Sequence, residues 1–242
     1  MSATTADRLL DGRVLLSQPA VGYRVAIDPV LLAAAVTPRP GGRVLDAGAG
    51  SGATSLCLAQ RVPDCALVAL ERDRLLLTLL QANIAANGLG ERIVAVHADL
   101  ADPPDLGRFD EIMTNPPFLP PTRGTAPDPR RAAAHAETTL DLTGWIAACA
   151  RLLVPRGRLT LIQRADRLDE VLAALRGRFG DLVVLPIWPH GGEPARRVIV
   201  QARLGARGPM RLASGLVLHE PFGGGFTAAA EAVLRRGVAL AL

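Results

Sequence analysis

Val44-Leu45-Asp46-Ala47-Gly48-Ala49-Gly50-Ser51-Gly52 joins an apolar run to three glycines and then to a helical pattern carrying Leu56, Leu58 and Ala59. A buried strand that turns through glycines into a helix is the opening unit of a doubly wound α/β sheet, and ligands bind at that turn. The stretch also satisfies G-x-G-x-x-A through Gly48, Gly50 and Ala53, the loose form of a dinucleotide fingerprint. Asp46 weighs against a dinucleotide. A carboxylate two residues before the first glycine repels a pyrophosphate seated on the helix N-terminus and favours a ligand with positive charge.

Working outward, each later strand ends on a group that an adenosyl ligand could use. Ala66 to Leu70 reads as a second buried strand ending at Glu71, placed to accept hydrogen bonds from both ribose hydroxyls. Ile93 to His97 reads as a third strand, followed by Asp99, which either accepts from an adenine amino group or starts a turn. After Phe109, Ile112 and Met113 comes Asn115-Pro116-Pro117-Phe118. The Asn115 side-chain oxygen and the Pro116 carbonyl can both accept from one exocyclic NH2. Pro116 has no N–H, and Pro117 biases it towards an extended conformation, which can hold that carbonyl towards a pocket. Phe118 supplies a stacking face for a planar amine. An Asn-Pro turn closing a strand is the alternative use of the same residues.

Taken together these strand ends resemble the class I S-adenosylmethionine-dependent methyltransferases, and among them those with an N-P-P-[FY] motif that methylate adenine N6, cytosine N4 or a glutamine amide. Tyr23-Arg24-Val25-Ala26-Ile27-Asp28-Pro29-Val30-Leu31-Leu32 is similar to the segment before the cofactor strand in the bacterial valine-tRNA adenine-N6 methyltransferase family. The resemblance runs from about Arg13 to Val200. It implies a Rossmann-like, seven-stranded, mostly parallel sheet with an antiparallel last strand and helices on both faces. It implies S-adenosyl-L-methionine as cofactor, held by Arg24, Asp28, Asp46, Gly48, Gly50, Gly52, Glu71, Arg72, Asp99 and Asn115, with Asn115, Pro116, Pro117 and Phe118 as the catalytic motif and no metal. The substrate it implies is an adenine in tRNA near the anticodon. Two other readings stand beside it: a glutamine N5-methyltransferase acting on a translation factor, and a non-catalytic adenosyl- or dinucleotide-binding module.

Composition agrees with one α/β domain over residues 1–242, comprising an N-terminal lid or substrate segment (1–40), a cofactor-binding core (41–204) and a C-terminal strand-helix extension (205–242). Apolar runs stop well short of a membrane span and Met1 to Asp11 lacks the blocks of a signal peptide, so a cytoplasmic protein is expected. Cys57, Cys65 and Cys149 are scattered thiols on apolar elements, and with four histidines they offer no metal-ligand spacing. The net charge is +4 and every basic residue is Arg, so the placement of arginines is more informative than their number. Arg123, Arg130 and Arg131 flank the Pro-rich stretch after Phe118. Arg196, Arg197, Arg203, Arg207 and Arg211 form a late cluster able to meet phosphates if it shares a face with the pocket mouth, and otherwise a solvated rim. At 3% aromatic, the chain suits one flipped base better than a platform of stacked bases.

The remaining pattern supplies element boundaries. Arg13 to Ser17 and Tyr23 to Ala26 read as a short β pair, and Pro29 opens a helix to about Ala35, the two together forming a lid over the cofactor. Asn87-Gly88 reads as a helix stop. Asp181 to Ile187 and Arg197 to Arg203 read as a hairpin, and Leu216 to His219 and Thr227 to Arg235 as a closing strand and helix.

Overall fold

Alternation of helix and strand from Asp28 to His97 produces a parallel sheet, because each helix must cross over to bring the next strand alongside. The computed structural model describes residues 4–21, 26–117, 140–221 and 224–242. Its strands are β1 (Thr4–Leu9), β2 (Val14–Pro19), β3 (Arg43–Ala47), β4 (Ala66–Glu71), β5 (Ile93–His97), β6 (Phe109–Thr114), β7 (Leu153–Arg164), β8 (Phe179–Trp188), β9 (Arg197–Leu204), β10 (Arg211–Leu212) and β11 (Leu216–Val217). The helices are α1 (Asp28–Ala35), α2 (Ala53–Arg61), α3 (Arg74–Ala86), α4 (Leu142–Leu152), α5 (Leu168–Leu175) and α6 (Ala228–Leu234).

Seven long strands make the main sheet in the order β8-β9-β7-β6-β3-β4-β5. Neighbours from β7 to β5 are parallel, and β9 runs antiparallel to both β7 and β8. The expected mostly parallel sheet with an antiparallel last long strand is therefore present, with the two-residue strands β10 and β11 added in parallel along β8. Strand residues alternate between two apolar layers. Val44, Leu67, Met113 and Ile162 face the side of α1, α2 and α3, whereas Leu45, Leu70, Ile112 and Leu161 face α4 and α5. Each fully buried Leu or Ile contributes about 1.5–3 kcal/mol by leaving water. No helix among the described residues is long and apolar enough to cross a membrane.

The N-terminal segment differs from its sequence-based reading. β2 pairs antiparallel with the upstream β1, Leu9 opposite Val14, and residues 23–25 of the expected partner run Tyr23 to Ala26 lie outside the described residues. The turn is made by Leu10, Asp11 and Gly12, all with positive φ, and Asp11-Gly12 is the local signal that selects this hairpin. Nor is α1 a lid: all eight of its residues are buried, it packs on α2, and the Arg61 guanidinium donates to the carbonyls of Ala33 and Val36 at its end. An Ala- and Leu-rich helix with no polar stripe belongs inside a fold, not over a solvent-facing site.

The hairpin is fastened by two asparagines one turn apart on α3. Asn83 accepts from the Ser17 amide and donates to the Ser17 carbonyl, and Asn87 does the same for Leu15, at 2.7–2.9 Å. Four residues of helix advance about 6 Å and two of strand about 6.7 Å, so the side-chain amides match the outward edge of β2. Asn87 also ends α3, with Gly88 at φ +65°, as the sequence pattern indicates.

Candidate active site at the carboxyl ends of the parallel strands

After Ala47 the chain turns back immediately. The amides of Gly48 and Ala49 both donate to the Leu70 carbonyl at the end of β4, at 3.0 and 2.9 Å. Gly48 and Gly52 are required by space as well as by φ of +77° and +94°: a Cβ on Gly48 would lie 3.1 Å from the Trp145 ring, and one on Gly52 only 2.5 Å from Leu80. Gly52 stands at the start of α2, whose first amides face the loop.

Two carboxylates flank this loop, both buried and neither in an ion pair among the described residues. Asp46 points towards α2, where the Ser55 hydroxyl donates to it at 2.7 Å. Burial pushes its carboxyl up to about 7; the hydrogen bonds from Ser55 oppose the rise, and the charge of Glu71 adds to it. Glu71 accepts from the Gly50 amide on one oxygen and from the Asp73 amide on the other, both at 2.8 Å. Burial raises its carboxyl too, against those two amides. Two desolvated acids beside a helix N-terminus fit a ligand carrying positive charge and ribose hydroxyls, and they oppose a pyrophosphate.

One strand across, β6 delivers Asn115-Pro116-Pro117 to the same edge, Thr114 standing opposite Ala47. The Thr114 hydroxyl donates to the Ala47 carbonyl at 2.8 Å and accepts from the Trp145 indole N–H at 2.9 Å. Trp145 therefore touches both halves of the site: its ring lies against Gly48, and its N–H holds the residue before Asn115. Asn115 is half-buried with its Oδ1 enclosed, and Pro116 is buried. Arg167, on the turn before α5, pairs with Glu170 and reaches the Pro117 carbonyl at 3.4 Å. Phe118 lies outside the described residues.

A family model for the methyltransferase small domain matches residues 15–185. The chain belongs to the methyltransferase small domain family. A relative from Aeromonas hydrophila subsp. hydrophila, named tRNA1(Val) (adenine(37)-N6)-methyltransferase, is 33% identical over 207 residues, 83% of this chain and 84% of that protein. One of the same name from Porphyromonas gingivalis is 37% identical over 165 residues, and the match spans 64% of each chain, so just under two thirds of that relative's length is covered. Among solved structures, a predicted O-methyltransferase from Agrobacterium tumefaciens superposes with a TM-score of 0.74 at 26% identity, over 89% of this chain and 99% of that one.

Within this methyltransferase small domain the other sequence-derived candidates divide. Arg72 and Asp99 stand at the ends of neighbouring strands, 3.4 Å apart and each about one third exposed. Asp99 also accepts from the Ala101 amide, so it starts a turn and keeps its second oxygen towards Arg72. Asp28, at the start of α1, is buried and pairs at 2.9 Å with Arg197 of β9. Arg24, Arg123, Arg130 and Arg131 lie outside the described residues. The late arginine cluster is pulled apart: Arg197 pairs with Asp28 near the loop edge, whereas Arg203, six strand residues or about 20 Å away, pairs with Asp181 at the opposite edge. Ser55, Trp145 and Arg167 carry no motif signal, although Trp145 is one of only two tryptophans in an aromatic-poor chain.

Proposed function

We propose that this chain is an S-adenosylmethionine-dependent N-methyltransferase whose acceptor is the N6 amine of an adenine in tRNA. The observation that carries the reading is the adjacency of Asn115-Pro116-Pro117 to a glycine loop flanked by two buried acids that have no ion pair among the described residues. The names of the Aeromonas and Porphyromonas relatives support the tRNA substrate.

When bound, S-adenosylmethionine supplies an electrophilic methyl on a sulfonium. Asp46, ionised beside a cation, balances ligand charge that its site otherwise leaves it to hold alone. Glu71 has lone pairs left for the ribose hydroxyls after accepting from Gly50 and Asp73. Gly48, Gly50 and Gly52 shape the turn around the ligand, and Arg72 and Asp99 lie beyond Glu71, where the adenine ring would rest. Asp28, held by Arg197, and Arg24 are assigned to the cofactor by the family resemblance alone. Asn115 Oδ1 and the Pro116 carbonyl accept both N–H bonds of the target amine. They turn its lone pair towards the methyl and offset the positive charge the nitrogen gains. Pro117 fixes the carbonyl before it, and Phe118 stacks on the flipped base. No side chain has to act as nucleophile, and the amine's proton leaves to water.

The test is methyl transfer from labelled S-adenosylmethionine to bacterial tRNA lacking its own adenine-N6 methylation, with nucleoside analysis. N6-methyladenosine formed by the unaltered protein, and reduced at least about a hundredfold by Asn115→Ala, is the expected result. Cofactor binding without a labelled nucleoside overturns the tRNA reading.

A further inference from the structure

With the late arginine cluster dispersed, a different concavity concentrates positive charge. It lies between the β1–β2 turn and α6, encloses about 490 Å³, and is lined by Arg8, Leu10, Asp11, Ile27, Phe226 and Arg235 among others. A second hollow of about 310 Å³ shares Asp11 and Arg235 with it and adds Arg13 and Arg236, so the two form one groove. Four arginines and one acid, Asp11, line the groove, and Arg235 pairs at 3.4 Å with Glu231 of α6. Arg8, Arg13 and Arg236 make no ion pair among the described residues.

The groove is held in shape by contacts between the two ends of the chain. Arg13 donates to the Leu10 carbonyl at 2.9 Å and to the Arg235 carbonyl at 2.8 Å, locking the hairpin turn to the end of α6. Arg8 lies over Gly12, its guanidinium 3.9 Å from where a Cβ would stand. The groove also leads to the active-site edge. Phe226 bridges to His219, just after β11, which runs beside the carboxyl end of β8, and Ile27 directly precedes α1. On the hairpin side, β2 climbs from Arg13 to Ser17, which Asn83 ties to the Ser51 carbonyl of the glycine loop. Four strand residues span about 13 Å.

We propose that this groove docks the sugar-phosphate backbone of the RNA substrate beside the target nucleotide, a reading that rests on the tRNA function above. Arginines lacking carboxylate partners offer planar donors matched to phosphate oxygens, and the fixed hairpin–helix junction spares them the cost of ordering on binding. Contacts to phosphate position an RNA without reading its sequence, leaving base choice to the pocket at Asn115.

The experiment measures tRNA affinity against salt for the unaltered protein, for Arg8→Gln/Arg236→Gln, and for Arg207→Gln/Arg211→Gln on the far side of the sheet. Arg13 is left intact because it braces the fold, and thermal melting checks each variant. The groove variant is expected to bind tRNA about tenfold more weakly, with a log–log salt slope shallower by about 1.5, while its affinity for S-adenosylmethionine is unchanged. The far-side variant keeps the original slope. An unchanged slope in the groove variant, or the loss falling on Arg207 and Arg211 instead, overturns the proposal even though the protein methylates tRNA. Failure of the unaltered protein to bind and methylate tRNA overturns the functional reading and the groove's assignment together. If the double variant melts early, Arg236→Gln alone gives the same test with a slope change of about 0.7.

Discussion

The glycine loop and the groove at the chain ends are built by opposite means. The backbone of the loop and both of its acids come from one βαβ unit between Asp46 and Asp73, and those two acids are buried and desolvated. The groove joins residues 222 positions apart through one arginine, and its charges remain in water. Desolvation makes a few groups strong and selective, whereas solvated charges act by number and are weakened by salt. The first arrangement suits a small ligand held in one pose. The second suits a long polyanion that must dock, react and leave.

The sharpest way to break this contrast is Asp46→Asn. Removing the buried charge is expected to weaken S-adenosylmethionine binding by about a hundredfold or more, read by calorimetry, while raising the melting temperature of the ligand-free protein. The pH dependence follows the same logic. The Asp46 carboxyl titrates at about 7 in the folded protein against 3.8 as its ordinary value, so the folded state holds the extra proton in that window. Its contribution to stability is therefore lost as pH climbs from about 4 to 7, and affinity for a cationic ligand should rise over the upper part of the same range and level off above about 7. A flat affinity between pH 5.5 and 7 would deny Asp46 that role. Next in size is Trp145→Phe, which keeps an aromatic ring on α4 but deletes the N–H to Thr114 and withdraws the outer indole atoms from Gly48. We expect kcat to fall about tenfold with cofactor affinity preserved, because only the registration of the two halves is loosened. Equal losses in both would make Trp145 a packing residue. Smallest is Asn87→Ala, which frees the Leu15 edge of the hairpin and should cost about 1–2 kcal/mol in chemical denaturation. Because the same hairpin carries Arg8 and Arg13, that variant should also weaken tRNA binding without altering cofactor affinity.

How far the sequence could be read depended on whether the physics was local. β3 to β6 fall where their apolar runs and turn residues put them, since a run of apolar residues and a turn-forming stop each leave a mark on neighbouring positions. The loop, Asp46 and Glu71 were legible for the same reason: strand ends in a doubly wound sheet sit where ligands bind. Legibility failed at the N-terminus. Asp11-Gly12 signals a hairpin, but Thr4 to Leu9 upstream of it carries no alternating apolar pattern, and only the pairing of β1 with β2 shows it to be a strand. Composition alone could not tell that α1 is wrapped by other elements rather than laid over a pocket. The late arginines look like one cluster because they are close in number, yet the two ends of a long strand stand at opposite edges of the sheet.

By itself the sequence determined the kind of sheet, the position of the ligand turn and the chemical character of the two groups across it, because strand period, glycine and a buried acid act within a few residues. Only the tertiary structure decided what holds those halves in register and where positive charge collects. Trp145 meets Gly48 and Thr114 through packing of α4 on the sheet, and Arg13 meets Arg235 through closure of the chain ends. Contacts of that kind depend on how whole elements fit together, and no short stretch of residues carries them.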